Sequence, residues 1–169
     1  MPTWAGVSAW VGVAAEPIAY AYPAYSTTVI YDDPTGADAV AHKAQADEAA
    51  ELAEAGQNPD AGADWMELGV FALVVDGQTQ PGAMVQMSVS KEGIIKGTYY
   101  DVLTDTTQPL SGSLDTTTQK VAWSLDSNKS IVYETGLETL TEDQGPMLVY
   151  FGGNQTQKWT MVRVEEEAS

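Results

Sequence analysis

The chain predicts a mainly β protein, an antiparallel up-and-down meander barrel of about eight strands, preceded by an extended arm and one helix. Three observations carry that expectation. From Asp64 to Val164, short runs alternating apolar and polar residues follow one another at hairpin spacing. Turn residues separate them at Asp76-Gly77, Lys91-Glu92-Gly93, Asp105-Thr106, Asp115-Thr116, Asp126-Ser127-Asn128 and Gly152-Gly153-Asn154. Two glycines, Gly97 and Gly112, sit inside runs, where glycine weakens a flat sheet but supplies the bend that a coiled barrel strand needs.

Residues 1–35 read as an aromatic extended arm with one strand. Trp4, Trp10, Tyr20, Tyr22, Tyr25 and Tyr31 alternate with small residues, and Pro17 and Pro23 favour edge or polyproline-like backbone. Ser26–Tyr31 is its strand, closed by Asp32-Asp33-Pro34. Residues 36–56 read as a helix rich in Ala and Glu, with Asp33 or Thr35 as N-cap and Gly56 as the stop. Its large apolar residues are Val40 and Leu52, so it should dock lightly through an alanine-lined face. Residues 57–63 are a linker.

Residues 64–169 form the barrel domain. Its expected strands are Trp65–Val75, Ala83–Ser90, Ile94–Asp101, Gln108–Leu114, Lys120–Leu125, Ser130–Thr135, Met147–Phe151 and Lys158–Val164. Closure of such a meander removes its exposed edges. Alternation places Ile95, Gly97 and Tyr99 on the interior face, with Leu110, Gly112 and Leu114, and with Val121, Trp123 and Leu125. It turns Lys96, Thr98, Ser111 and Ser113 outward.

Composition narrows the functional classes. The chain has 169 residues, enough for one core plus an appendage, and 44% of them are hydrophobic. Asp and Glu number 24 against 7 Lys and Arg, a formal charge of -17 that repels nucleic-acid phosphate and anionic membranes. Cysteine is absent, which excludes disulfides, thiolate metal sites and a cysteine nucleophile. The opening Met1-Pro2-Thr3-Trp4 lacks the positive stretch of a signal peptide, and Trp4–Ala15 is too short to span a bilayer.

No catalytic motif is evident, and the chain is read as a non-enzyme without cofactor or metal. The one histidine, His42, reads as a solvated helix residue, since no second ligand accompanies it. Glu134, Glu138, Glu142 and Asp143 lack the Asp/Asn/Gly density of a calcium loop and read as solvated turns. Trp65, Tyr99, Trp123, Tyr133 and Trp159 lie on different strands. They are the candidate ligand-binding residues, either ringing a small-molecule pocket or filling the core.

Several spaced blocks resemble one family. Asp64-Trp65-Met66-Glu67-Leu68-Gly69-Val70-Phe71-Ala72-Leu73, Ser90-Lys91-Glu92-Gly93-Ile94-Ile95-Lys96-Gly97, Thr107-Gln108-Pro109 with Gly112, Thr118-Gln119-Lys120-Val121-Ala122-Trp123, Glu134-Thr135-Gly136-Leu137 and Thr156-Gln157-Lys158-Trp159 are similar to the C-terminal domain of planctomycete-type bacterial mu-protocadherin-like cell-surface proteins. The resemblance implies an exported or surface-associated protein and carries over no catalytic residue. The strand rhythm around Gly97-Thr98-Tyr99, Val121-Ala122-Trp123 and Gln157-Lys158-Trp159 also resembles avidin-like and lipocalin-like barrels. Together these readings predict a non-catalytic extracytoplasmic or cell-surface structural or interaction module. Its expected partners are another protein or a second copy, engaged through the arm, with neither nucleic acid nor membrane insertion; a small-ligand-binding barrel is the alternative.

Overall fold

The computed structural model describes residues 3–13, 16–18, 28–30, 37–55, 64–75, 79–126, 128–151 and 155–164, with backbone alone at 28–30, 37–45, 128 and 155. The expected linker, the turns at Asp76-Gly77 and Gly152-Gly153-Asn154, the Asp32-Asp33-Pro34 turn and the tyrosines of the arm lie outside these residues.

Alternating burial builds the sheet. The strands β2 (Trp65–Val75), β3 (Ala83–Ser90), β4 (Ile94–Asp101), β5 (Thr106–Leu114), β6 (Lys120–Leu125), β7 (Asn128–Gly136), β8 (Gln144–Phe151) and β9 (Gln155–Val164) pair antiparallel in chain order. β9 pairs with both β8 and β2, which closes the barrel. A short strand β1 (Thr28–Ile30) adds to β9 at Gln155–Gln157, beyond the stretch that β2 occupies.

Gly97 and Gly112 make the closure possible. A Cβ at Gly97 would collide with the Gln86 carbonyl oxygen, and one at Gly112 with the Ala122 carbonyl oxygen and, at 2.7 Å, the Trp123 Cα. Neighbouring backbones therefore approach where only glycine leaves room.

The interior face is filled by large side chains. Leu68, Phe71, Leu73, Met87, Ile95, Trp123, Met147 and Met161 are fully buried within one cluster. After β7, a 3-10 turn, Leu137–Thr141, adds Leu137 and Leu140 to it.

The arm differs from expectation at its start. Trp4–Val11 is a helix, α1, and not extended chain. Its small residues hide a helical period, in which Trp4, Val7, Ser8 and Val11 share a face. Thr3 caps it by accepting the Gly6 N–H at 3.1 Å, and Gly12, at φ 74°, ends it in the left-handed region. Val7 and Val11 enter the main cluster, with Trp4 and Trp10 packed against it. The Trp10 indole N–H donates to the Val89 carbonyl at 3.1 Å, and Lys91 lies over its ring. Gln119 then holds the following chain from both sides, donating to Glu16 O and accepting from Ile18 N–H.

Arg163 completes this end. Its guanidinium donates to the carbonyls of Leu68 at 2.9 Å, Leu140 at 2.6 Å and Glu142 at 3.3 Å, with the Phe71 ring 4.8 Å away. Gly69, at φ 125°, lies against the guanidinium, where a Cβ would overlap Nη1.

The expected Ala/Glu helix is α2 (Ala37–Ala55). It packs on the outer wall through Ala46, Ala49, Ala53 and Leu52, which meet Ala122, Val132, Leu148 and Tyr150. The Ser113 hydroxyl donates to the Leu52 carbonyl. His42 lies on α2, its side chain outside the description.

Candidate functional site

Four of the five candidate aromatics come together inside the barrel. Trp123 on β6 stands between Gly112 on β5 and Tyr133 on β7, and its ring stacks on Tyr133 with centroids 5.7 Å apart and planes 8° apart. Tyr99 approaches Tyr133 at 5.9 Å, and Trp159 meets it edge-on at 6.1 Å. These offsets and tilts are the favourable aromatic geometries.

The cluster is dry. Burial pushes the Tyr99 hydroxyl above its ordinary pKa, and hydrogen bonding with Tyr133 partly opposes this. Tyr133 is pushed up further, by burial and then by Tyr99 and Asp101. The Trp159 indole N–H donates to Gln157 at 3.0 Å, whereas the buried Trp123 N–H has no partner. These residues fill space and carry no nucleophile–base pair, and both phenols stay protonated at neutral pH.

Trp65 lies elsewhere. A β-bulge between Glu67 and Gly69 reverses the alternation of β2, so that counting back by twos from Phe71 places Trp65 on the wrong face. It sits on the outer wall, with Lys96 over its ring at 4.2 Å. Alternation alone does not reveal the bulge; Gly69 inside the run is its only sequence trace.

That outer wall carries a second feature, which the aromatic search missed. The outward residues of β3, β4 and β5 form two rungs, Gln86–Thr98–Pro109 and Ser88–Lys96–Ser111. Asp126 and Lys129, from the ends of β6 and β7, lie beside them. An irregularity between Ser124 and Leu125 interrupts the β6–β7 pairing, and the Asp126 N–H donates to Pro109 O at 3.1 Å. Asp126 and Lys129 then wall a basin of about 640 Å³ whose floor is the two rungs. The available sequence signal was the scarcity of cations, since two of the seven lie here.

Among the described residues, no group of three His, Asp or Glu side chains is placed to hold a metal, and no helix is long and apolar enough to cross a membrane. Glu134, expected as a solvated residue, is buried against the outer wall, and the Tyr150 hydroxyl donates to it at 3.4 Å. Fold and site define an eight-stranded closed meander barrel, plugged by a helix at one end and carrying a polar basin on its wall. Comparison of the chain with protein-family models, curated proteins and solved structures returns no match.

Proposed function

We propose that this chain is a non-catalytic structural or interaction module of the cell surface or another extracytoplasmic site, as its resemblance to bacterial cell-surface proteins implies. One observation carries the reading: among the described residues, large side chains from Phe71 and Met87 to Trp123 and Met161 are buried together inside the barrel. A filled barrel is a rigid body that meets partners with its outside. The helical part of the arm packs into its own barrel, which shifts the partner-facing surface to the walls. The test is labelling of intact source cells with a membrane-impermeant amine reagent, followed by washing of the envelope. Labelling before lysis and retention on the washed envelope are expected. Labelling only after lysis, with the chain in the soluble fraction, would overturn the reading.

A small-ligand barrel is the second reading, favoured by the unpartnered Trp123 N–H beside the Tyr99–Tyr133 pair. A buried unpaired donor costs about 1–3 kcal/mol, which a bound acceptor would relieve. Native mass spectrometry of protein purified from its source should then show a co-purifying small molecule, and recovery of the bare chain mass alone would reject it.

A further inference from the structure

The wall basin has a composition that selects a ligand class. Its floor is lined by Ser88, Thr98, Gln86 and Lys96, and its wall by Lys129 and Asp126. Lys96 is held from behind by the Trp65 ring, and no carboxylate among the described residues is paired with it. In a chain with 24 acids and 7 cations, an ammonium with no carboxylate paired to it among the described residues is conspicuous. A volume near 640 Å³ lies in the range of small-ligand sites.

We propose that this basin binds a sugar acid, a carboxylated saccharide unit whose carboxylate meets Lys96 and Lys129 and whose hydroxyls meet Ser88, Thr98, Gln86 and Asp126. Each group has a stated role. Ammonium-to-carboxylate bonds are the strong, orienting contacts. Hydroxyl and amide side chains act as both donor and acceptor, which suits a polyhydroxylated ligand. Asp126 accepts only, so it favours ligand hydroxyls and opposes a second negative charge. That asymmetry disfavours an acidic peptide or a bare anion. The site does not depend on where the chain resides, so its test is independent of surface labelling.

The experiment is titration of the full chain with galacturonate, trigalacturonate, neutral galactotriose and hexaglutamate, followed by amide NMR shifts and Trp fluorescence. Trigalacturonate should shift the amides of residues 86–98 and 126–129 and bind about tenfold more tightly than galactotriose, as loss of a charge-assisted contact implies. Binding of the monomer with the same map would assign a free sugar acid, and binding of the trimer alone a polymer; either supports the site. Lys96→Gln should weaken binding by about tenfold, Lys129→Gln should also weaken it, and Lys96→Arg should largely retain it. Shifts elsewhere, no shifts, equal binding of galactotriose, tighter binding of hexaglutamate, or unchanged affinity in both glutamine variants would each overturn the proposal.

Discussion

The two helices contrast in how much they hold. α2 has 19 residues and is plain in the sequence, yet the described side chains, those of residues 46–55, meet the wall through three alanines and Leu52. α1 has 8 residues and is hidden in a Trp- and small-residue stretch, yet it inserts Val7 and Val11 into the main core and flanks them with two tryptophans. Apolar burial stabilises by about 25 cal/mol per Å², so large side chains outweigh helix length. Composition reveals that a helix forms; the size of the side chains on its buried face decides how strongly it is held.

The contrast is tested most severely at Val7. Val7→Asp places an unpaired carboxylate in a fully buried site and should cost roughly 3–5 kcal/mol of barrel stability. Urea unfolding followed by near-UV circular dichroism measures it. A loss under about 1 kcal/mol would mean that α1 lifts away freely and that the barrel does not need its plug.

The interior aromatics make the next largest effect, and pH reads it. Tyr99 and Tyr133 have folded pKa values raised chiefly by burial, while in the unfolded chain both lose their protons near pH 10. Their contribution is therefore intact below pH 10 and is lost as pH rises toward the folded values. Tyr133 should remove up to about 1.4 kcal/mol per pH unit above pH 10, and Tyr99 acts in the same direction. Urea midpoints from pH 9 to 11 should fall accordingly, and Tyr133→Phe should flatten the slope. An equal slope in that variant would place the alkaline sensitivity outside the cluster.

Arg163→Met comes third, at about 2–3 kcal/mol, because it leaves the carbonyls of Leu68, Leu140 and Glu142 without their guanidinium donors. Arg163→Lys should recover only part of this, since one ammonium does not reproduce the fork. Full recovery in thermal melts would show that charge, and not geometry, closes the plugged end.

Much of the barrel was legible because a closed meander writes period-two alternation and turn residues directly into the chain. The bounds of β2, β3, β4 and β6 agree with the expected ones, and β5, β7, β8 and β9 begin two or three residues earlier, where polar Thr, Asn and Gln already pair. Gly97 and Gly112 were readable as bends because a missing Cβ has one main use inside a strand. The α1 helix was not, since Ala, Gly and Ser carry no period and the Trp4–Val7–Val11 spacing competes with apparent alternation. Trp65 was misplaced by a bulge, a one-residue event that reverses a face without changing composition. Alternation turned Lys96, Thr98 and Ser111 outward but gave no sign of a basin, because the wall from Asp126 and Lys129 depends on an irregularity in β6–β7 pairing that no local pattern records.

The smallest expected effect on the barrel comes from α2. Ala49→Glu puts a charge where α2 meets the wall and should undock the helix, but the stability lost globally is capped by the little that its docking contributes. The barrel's near-UV signal and thermal midpoint should stay close to wild type, within about 1 kcal/mol, while hydrogen exchange accelerates across residues 46–55 and at the wall amides beneath them. A barrel that melts with the helix would show that the seam of small residues, with Glu134 and Tyr150 beneath it, is part of the cooperative core. The two helices would then differ in the kind of side chain they bury and not in how much of the fold they hold.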